Sequence, residues 1–118
     1  QIRGRSLGEI RSVLPSLSND FQPLPGADKG WTFGFLQNLE PIPGGRSAGS
    51  LSWAGLANCY YWADPEAGVA GVLFAQLLPF ADPQVLAVFD AFEQAAYGVE
   101  RPAAAAAAAG VPTAAAEA

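Results

Sequence analysis

The spacing of hydrophobic positions changes along this chain, and each change marks an expected element. In "SLGEIRSVLPSL", residues 6–17, Leu7, Ile10, Val13 and Leu14 recur at helical spacing, and Ser6 and Glu9 stand at capping-box spacing. A short helix ending near Pro15 is expected there. "SNDFQPLPGADKG" is dense in Pro, Gly, Asn and Asp and reads as an irregular connection. Over residues 31–39, "WTFGFLQNL", the period drops to two. Trp31, Phe33, Phe35, Gln37 and Leu39 share one face, Thr32, Gly34, Leu36 and Asn38 the other, so one strand is expected.

A second strand is expected over residues 50–54, followed by a hairpin. Residues 58–63 are aromatic and strand-prone, "DPEAG" puts Pro65 at the first central turn position, and residues 69–77 return as a strand. From Asp82, "DPQVLAVFDAFEQAAYG" returns to helical period. Asp82 is the expected N-cap and Pro83 the first helical residue. Val85, Leu86, Phe89, Phe92 and Ala96 form one stripe, and Gly98 is the stop. Beyond it "ERPAAAAAAAGVPTAAAEA", residues 99–118, is low in complexity, offers no large apolar face, and is expected to be a mobile extension.

At 118 residues, 51% of them hydrophobic, the chain is at most one domain with a modest core. Six basic residues, scattered singly, against eleven acidic ones give a net charge of −5 and no footprint for nucleic acid, which is excluded as the main partner. The longest apolar stretch, "GVAGVLFAQLLPFA", falls short of the roughly 20 residues of a membrane span and is interrupted by Gln76 and Pro79. The single cysteine, Cys59, has no partner for an internal disulfide and reads as a small buried hydrophobe. Without histidine there is no metal-ligand cluster, and neither a metal nor another cofactor is expected. The start "QIRGRS" has neither an initiator methionine nor an apolar signal core. The chain is expected to be cut from a longer one, with the cytoplasm as the default compartment.

Gly45-Arg46-Ser47-Ala48-Gly49 is a literal G-x-S-x-G, the pattern of a nucleophile elbow, in which a strand runs in and a helix leaves. Here turn material, "EPIPGG", precedes the serine and a strand pattern follows it. No histidine exists to activate it, and the one lysine is Lys29. Ser47 is therefore expected to be a loop hydroxyl, and Arg46 a solvated or backbone-bound guanidinium. Asp64 and Glu66 have the look of paired acid and base carboxylates, but in "DPEAG" they are expected to be exposed turn residues.

The stretch "PLPGADKGWTFGFLQNLEPIPGGRSAGSLSWAGLANCYYWADPEAGVAGVLFAQLLPFADP" closely resembles the end of the beta-lactamase-related serine hydrolases, in particular the class C beta-lactamase-like esterases of the family VIII carboxylesterase type. The features "GW", "GRSAGSLSWAG", "DPE" and "LLPFADP" fall in one order, and the likeness covers residues 23–98. It implies an α+β chain, the C-terminal portion of the beta-lactamase/transpeptidase-like fold, with antiparallel strands and a flanking C-terminal helix over residues 1–98. The family's S-x-x-K and Y-x-N motifs are absent. Gly26 stands three residues before Lys29, and Tyr60, Tyr61 and Tyr97 lead into "YW", "WA" and "GV".

What the resemblance does find is the W-x-G element, as Trp53, Ala54 and Gly55. It implies that Gly55 admits the acyl group and that the backbone N–H of Leu56 is one oxyanion-hole donor, the other coming from a serine outside this chain. Trp53 has a second reading as a core aromatic, and Asn58 is read equally as a substrate contact or a turn cap. The parent is then expected to cleave carboxylic esters through an acyl-serine, with a small ester or amide as substrate and the N-terminal part of the same domain as partner. Trp53 in place of lysine removes the cation that would hold a lactam carboxylate. A beta-lactamase, D-amino-acid peptidase or acyltransferase parent remains a further possibility, and a non-catalytic binding or structural domain the rival. This chain alone, lacking a nucleophile, is expected to be inactive.

Overall fold

The computed structural model describes residues 2–3 and 8–98. Six strands run in chain order, β1 (Ile2–Arg3), β2 (Lys29–Trp31), β3 (Leu36–Asn38), β4 (Leu51–Gly55), β5 (Cys59–Asp64) and β6 (Val69–Phe74), and each pairs antiparallel with the next to make one sheet. The helix α1 (Pro83–Ala96) covers one face. The α+β class expected from the sequence is the one observed. The expected tail, residues 99–118, lies outside the described residues, as do Ser6 and Leu7.

The strictest alternation is in β5, where Tyr60, Trp62 and Asp64 are buried and Cys59, Tyr61 and Ala63 are not. The buried set faces α1. Tyr60 stacks on Phe89 with centroids 5.1 Å apart, and Trp62 meets Phe89 and Phe92 edge-on at 5.5 and 5.4 Å. Leu36, Ser52, Trp62 and Gly71 stand in register across β3 to β6 and form the middle of this core. On the other face, Trp53, Tyr61 and Val72 form one cross-strand row and Gly55, Cys59 and Phe74 the next. Among the described residues nothing covers that row of apolar side chains at its outer end, and Val72 and Phe74 are 50% and 76% exposed.

The end of the chain follows local chemistry closely. Asp82 Oδ1 accepts from the N–H groups of Gln84 and Val85 at 2.9 and 3.0 Å, Pro83 opens α1, and Gly98 follows with φ of 74°. The β5–β6 hairpin turns at "DPEAG" as expected. Its second strand ends at Phe74 instead of residue 77, because the chain turns back there, with Leu77 N–H bonded to Ala57 O and Gln76 at a positive φ.

Two expectations are corrected. Residues 31–39 form no single strand. They span the end of β2 and all of β3, joined by a tight turn in which Thr32 N–H donates to Phe35 O (2.9 Å) and Thr32 Oγ1 accepts from Phe35 N–H (3.1 Å). The register sets Trp31 directly opposite Leu36, so two residues that a single strand would put on opposite faces share one. Residues 8–17 form no helix either. Ile10 and Phe21 exchange both backbone bonds, at 2.7 and 2.9 Å, and Ser12 N–H donates to Asp20. Val13 is 98% exposed, so the helical spacing has no described surface to dock on, and so short a helix does not persist by propensity alone.

Candidate functional site

β4 carries Trp53, Ala54 and Gly55 and is supported unequally. β5 pairs with all five of its residues, while β3 pairs only with Leu51 and Ser52. The turn at residues 32–35 takes the chain away, so Trp53, Ala54 and Gly55 have no strand partner on that edge among the described residues. The Trp31 ring stands edge-on to Trp53, centroids 4.6 Å apart. Leu56, just beyond the strand, is 57% exposed.

Gly55 does not owe its identity to the packing of the described residues. A Cβ built there would meet only the Cys59 Cβ, at 3.6 Å, an ordinary contact, and its φ lies outside the left-handed region. Gly71 is the opposite case, since a Cβ there would lie 2.1 Å from two carbons of the Trp62 ring. One glycine is required by its neighbours; the other leaves open space beside an open strand edge. An apolar groove of about 160 Å³ reaches this edge, lined on one side by Trp53 and Ala54, on another by Phe21, Pro23 and Leu24, and closed near α1 by Phe89 and Glu93.

The loop leading into β4 is tied down at consecutive residues. Arg46, 2% exposed, donates from Nε and Nη2 to the two carboxylate oxygens of Glu93 on α1, at 2.8 and 2.5 Å, and its guanidinium lies 5.8 Å from the centre of the Trp62 ring. Ser47 N–H donates to Asp64 Oδ2 at 2.7 Å, and Ser47 O accepts from Asn38 Nδ2 and Ser50 Oγ, both at 2.8 Å. Arg46 is thus neither solvated nor backbone-bound. Its partner lies 47 residues away, beyond the reach of local pattern. Glu93 was the residue missed, though a signal existed: it continues the Val85 and Phe89 stripe at i+4 spacing.

Asp64 is also unlike the expectation. It caps its turn by accepting from Glu66 and Ala67 N–H, yet it is 2% exposed and accepts from the Tyr97 hydroxyl at 2.9 Å as well. Burial by itself would raise its pKa. The hydrogen bonds from Ser47 N–H, Ala67 N–H, the Tyr97 hydroxyl and the Ser47 side chain outweigh it and hold the carboxyl well below the usual range. Tyr97 responds in the other direction, pushed up by burial and by its bond to Asp64. The carboxylate beside Ser47 is engaged by the N–H groups of Ser47, Glu66 and Ala67 and by the Tyr97 hydroxyl, the bonding of a structural group. Glu66 is exposed, and no acid–base pair with Asp64 is formed.

Asn58 has a positive φ of 54° and no exposed surface. Its Nδ2 donates to the carbonyls of Leu77 (3.0 Å) and Pro79 (2.7 Å), and its Oδ1 accepts from the Tyr60 hydroxyl (2.8 Å) and Asp82 N–H (3.0 Å). All of its amide capacity is used inside the chain. These bonds join the end of β4 to the start of α1. Buried against Asn58, the Tyr60 hydroxyl is pushed up to about 12, chiefly by desolvation.

Lys29 is buried, and its ammonium donates to the carbonyls of Leu24 and Ala27 at 2.9 and 3.0 Å, which fixes the preceding loop. Cys59 is half-buried, with its thiol 3.8 Å from Ala57 O. Among the described residues no group of His, Cys, Asp and Glu could hold a metal ion, and no helix is long and apolar enough to cross a membrane.

No protein-family model matches the sequence, and no curated protein matches it significantly. Solved structures do. The LovD6 mutant of simvastatin synthase (LovD) from Aspergillus terreus is 30% identical over 61% of this chain, with a TM-score of 0.59. The unliganded selenomethionyl enzyme is 31% identical over 61%, also at 0.59, and the LovD9 mutant 30% over 61%, at 0.60. LovD is an acyltransferase of the beta-lactamase/transpeptidase-like fold. The sheet and helix described above are a partial form of that fold, as the resemblance in the sequence implied. The chain spans 18–19% of the length of those proteins.

Proposed function

We propose that this chain is the C-terminal part of a serine enzyme that passes acyl groups through an acyl-serine intermediate, and that β4 lines the acyl site. The nucleophilic serine and its base come from the rest of the parent. The serine oxygen attacks the carbonyl of an ester, the carbonyl oxygen becomes an oxyanion, and the Leu56 N–H donates to it. A donor aimed at that charge is worth roughly 3–4 kcal/mol of barrier. Collapse expels the alcohol with a proton, and the acyl-serine is resolved by water in an esterase or by a second alcohol in an acyltransferase. Trp53 and Ala54 form the wall against which the acyl group lies.

The observation that carries this reading is Gly55. Neither its φ nor its described neighbours call for glycine, and it stands on the open edge of β4, directly after Trp53 and Ala54, which line the groove. A backbone stripped of its side chain at an open edge suits close approach by a reacting group. The likeness to an acyltransferase of this fold supports acyl transfer alongside ester hydrolysis. Both use the same first half-reaction.

Treating the full-length parent with a fluorophosphonate and mapping the adduct by mass spectrometry tests the reading. The expected adduct is on a serine outside these 118 residues. An adduct on Ser47, or none on any serine, overturns it.

A further inference from the structure

We infer that Arg46 and Glu93 are a positioning pair for acyl transfer, which holds the open edge of β4 where the Leu56 N–H meets the oxyanion. The inference rests on the acyl-site reading of β4 and adds to it residues that lie outside the W-x-G element. Among the described residues, β4 past Ser52 is paired on one edge alone, by β5. The loop before β4 sets where the strand begins, and its Arg46, with Glu93, lines the same groove as Trp53 and Ala54. Arg46 forks onto Glu93, and Gly45 lies so close to the same carboxylate that a Cβ would stand 3.0 Å from Oε1. The next residue, Ser47, is bonded through its N–H to Asp64 and through its carbonyl to Asn38 and Ser50, so the loop enters β4 as a stiff block. The block is anchored to α1 through this ion pair, and α1 is anchored to the sheet by Phe89 on Tyr60 and Trp62.

A fork of two parallel hydrogen bonds fixes angle as well as distance, which a single charge on a flexible stem does not. Both partners are buried, so the pair is a poor choice for stability compared with apolar residues of the same shape, and its geometric precision is what it adds. Small displacements of an oxyanion donor cost catalysis far more than they cost binding, because the donor acts on charge that develops in the transition state.

The test uses the full-length parent with Arg46→Lys and Glu93→Gln, assayed on a short-chain ester well below each variant's melting temperature. Arg46→Lys keeps the charge and loses the fork. Glu93→Gln keeps the shape. The expected result is a fall in kcat of tenfold or more with KM changed less than threefold, in at least the variant that retains the wild-type circular dichroism spectrum. A purely structural pair would lower the melting temperature and leave kcat at low temperature within twofold of wild type, and that result overturns the inference while leaving the acyl-site reading intact. A wild-type parent that turns over no ester and forms no acyl-serine overturns both.

Discussion

Gly71 lies directly beneath the indole of Trp62. The two are cross-strand partners on β6 and β5, and a methyl group on Gly71 would stand 2.1 Å from two ring carbons. Trp62 is 1% exposed and hemmed in by Phe89 and Phe92, so the ring has nowhere to retreat. Gly71→Ala is expected to destabilise the protein at the upper end of the roughly 1–3 kcal/mol typical of overpacking. Urea denaturation checks it, and a change below about 0.5 kcal/mol contradicts the packing described.

Asn58 makes four hydrogen bonds at a positive φ, and its removal strands the Tyr60 hydroxyl, Asp82 N–H and two carbonyls. Asn58→Ala is expected to cost about 3 kcal/mol or more, since each stranded buried group costs on the order of 1 kcal/mol. Asn58→Gly relieves the backbone strain and is expected to cost less than alanine by about 1 kcal/mol. Equal losses in the two variants would mean that the left-handed conformation contributes nothing.

The Asp64 carboxyl is held far below its ordinary pKa of about 3.9. A depressed folded value means that the unfolded chain binds the proton first. The stabilisation from Asp64 is complete above about pH 3.9 and is lost as the pH falls from there toward the folded value. Asp64→Asn is expected to be less stable than wild type at neutral pH and to lose less on acidification. Denaturation midpoints measured from pH 6 downward check this, and parallel curves for the two proteins contradict it.

Val72 and Phe74 are exposed on β6, the last strand of the sheet, and Leu56 and Phe33 are exposed beside the open β4 edge and at the β2–β3 turn. Uncovered apolar surface and an unpaired strand edge favour association. These 118 residues alone are expected to self-associate at micromolar concentration and to become monodisperse when the rest of the parent is supplied. Light scattering checks it; a monodisperse monomer with a sharp cooperative melt contradicts it.

How much of this was legible in the sequence depends on how far apart the partners lie. Asp82 caps Pro83–Ala96 through residues two and three positions away, and "DPEAG" turns on its own proline, so α1 and the β5–β6 hairpin could be read directly. The Arg46 and Glu93 pair, and the bond from Ser47 to Asp64, cross between elements and leave no local period. Alternation failed at residues 31–39 because each arm of the β2–β3 hairpin is itself strand-like, and a four-residue turn of Thr, Phe and Gly carries no strong turn signal, although the register, with Trp31 opposite Leu36, inverts the parity across it. Helical spacing failed at residues 8–17 because no described surface receives the apolar stripe. The W-x-G element was found through resemblance, and the structure adds that its edge is open.

That edge is most directly tested by Gly55→Val and Ser47→Ala in the full-length parent, with kcat and melting temperature measured on a short-chain ester. A branched side chain at Gly55 would fill the space the acyl carbon is proposed to use, while its Cβ would meet only the Cys59 Cβ, at 3.6 Å, an ordinary contact. The expected result is a fall in kcat of about 100-fold or more for Gly55→Val, the scale of losing one oxyanion donor, with the melting temperature shifted by only a few degrees. Ser47→Ala is expected to keep kcat within twofold, because the serine holds its loop mainly through its backbone N–H and carbonyl. A Gly55→Val enzyme with near wild-type kcat, or a Ser47→Ala enzyme with none, would contradict the assignment of β4 to the acyl site.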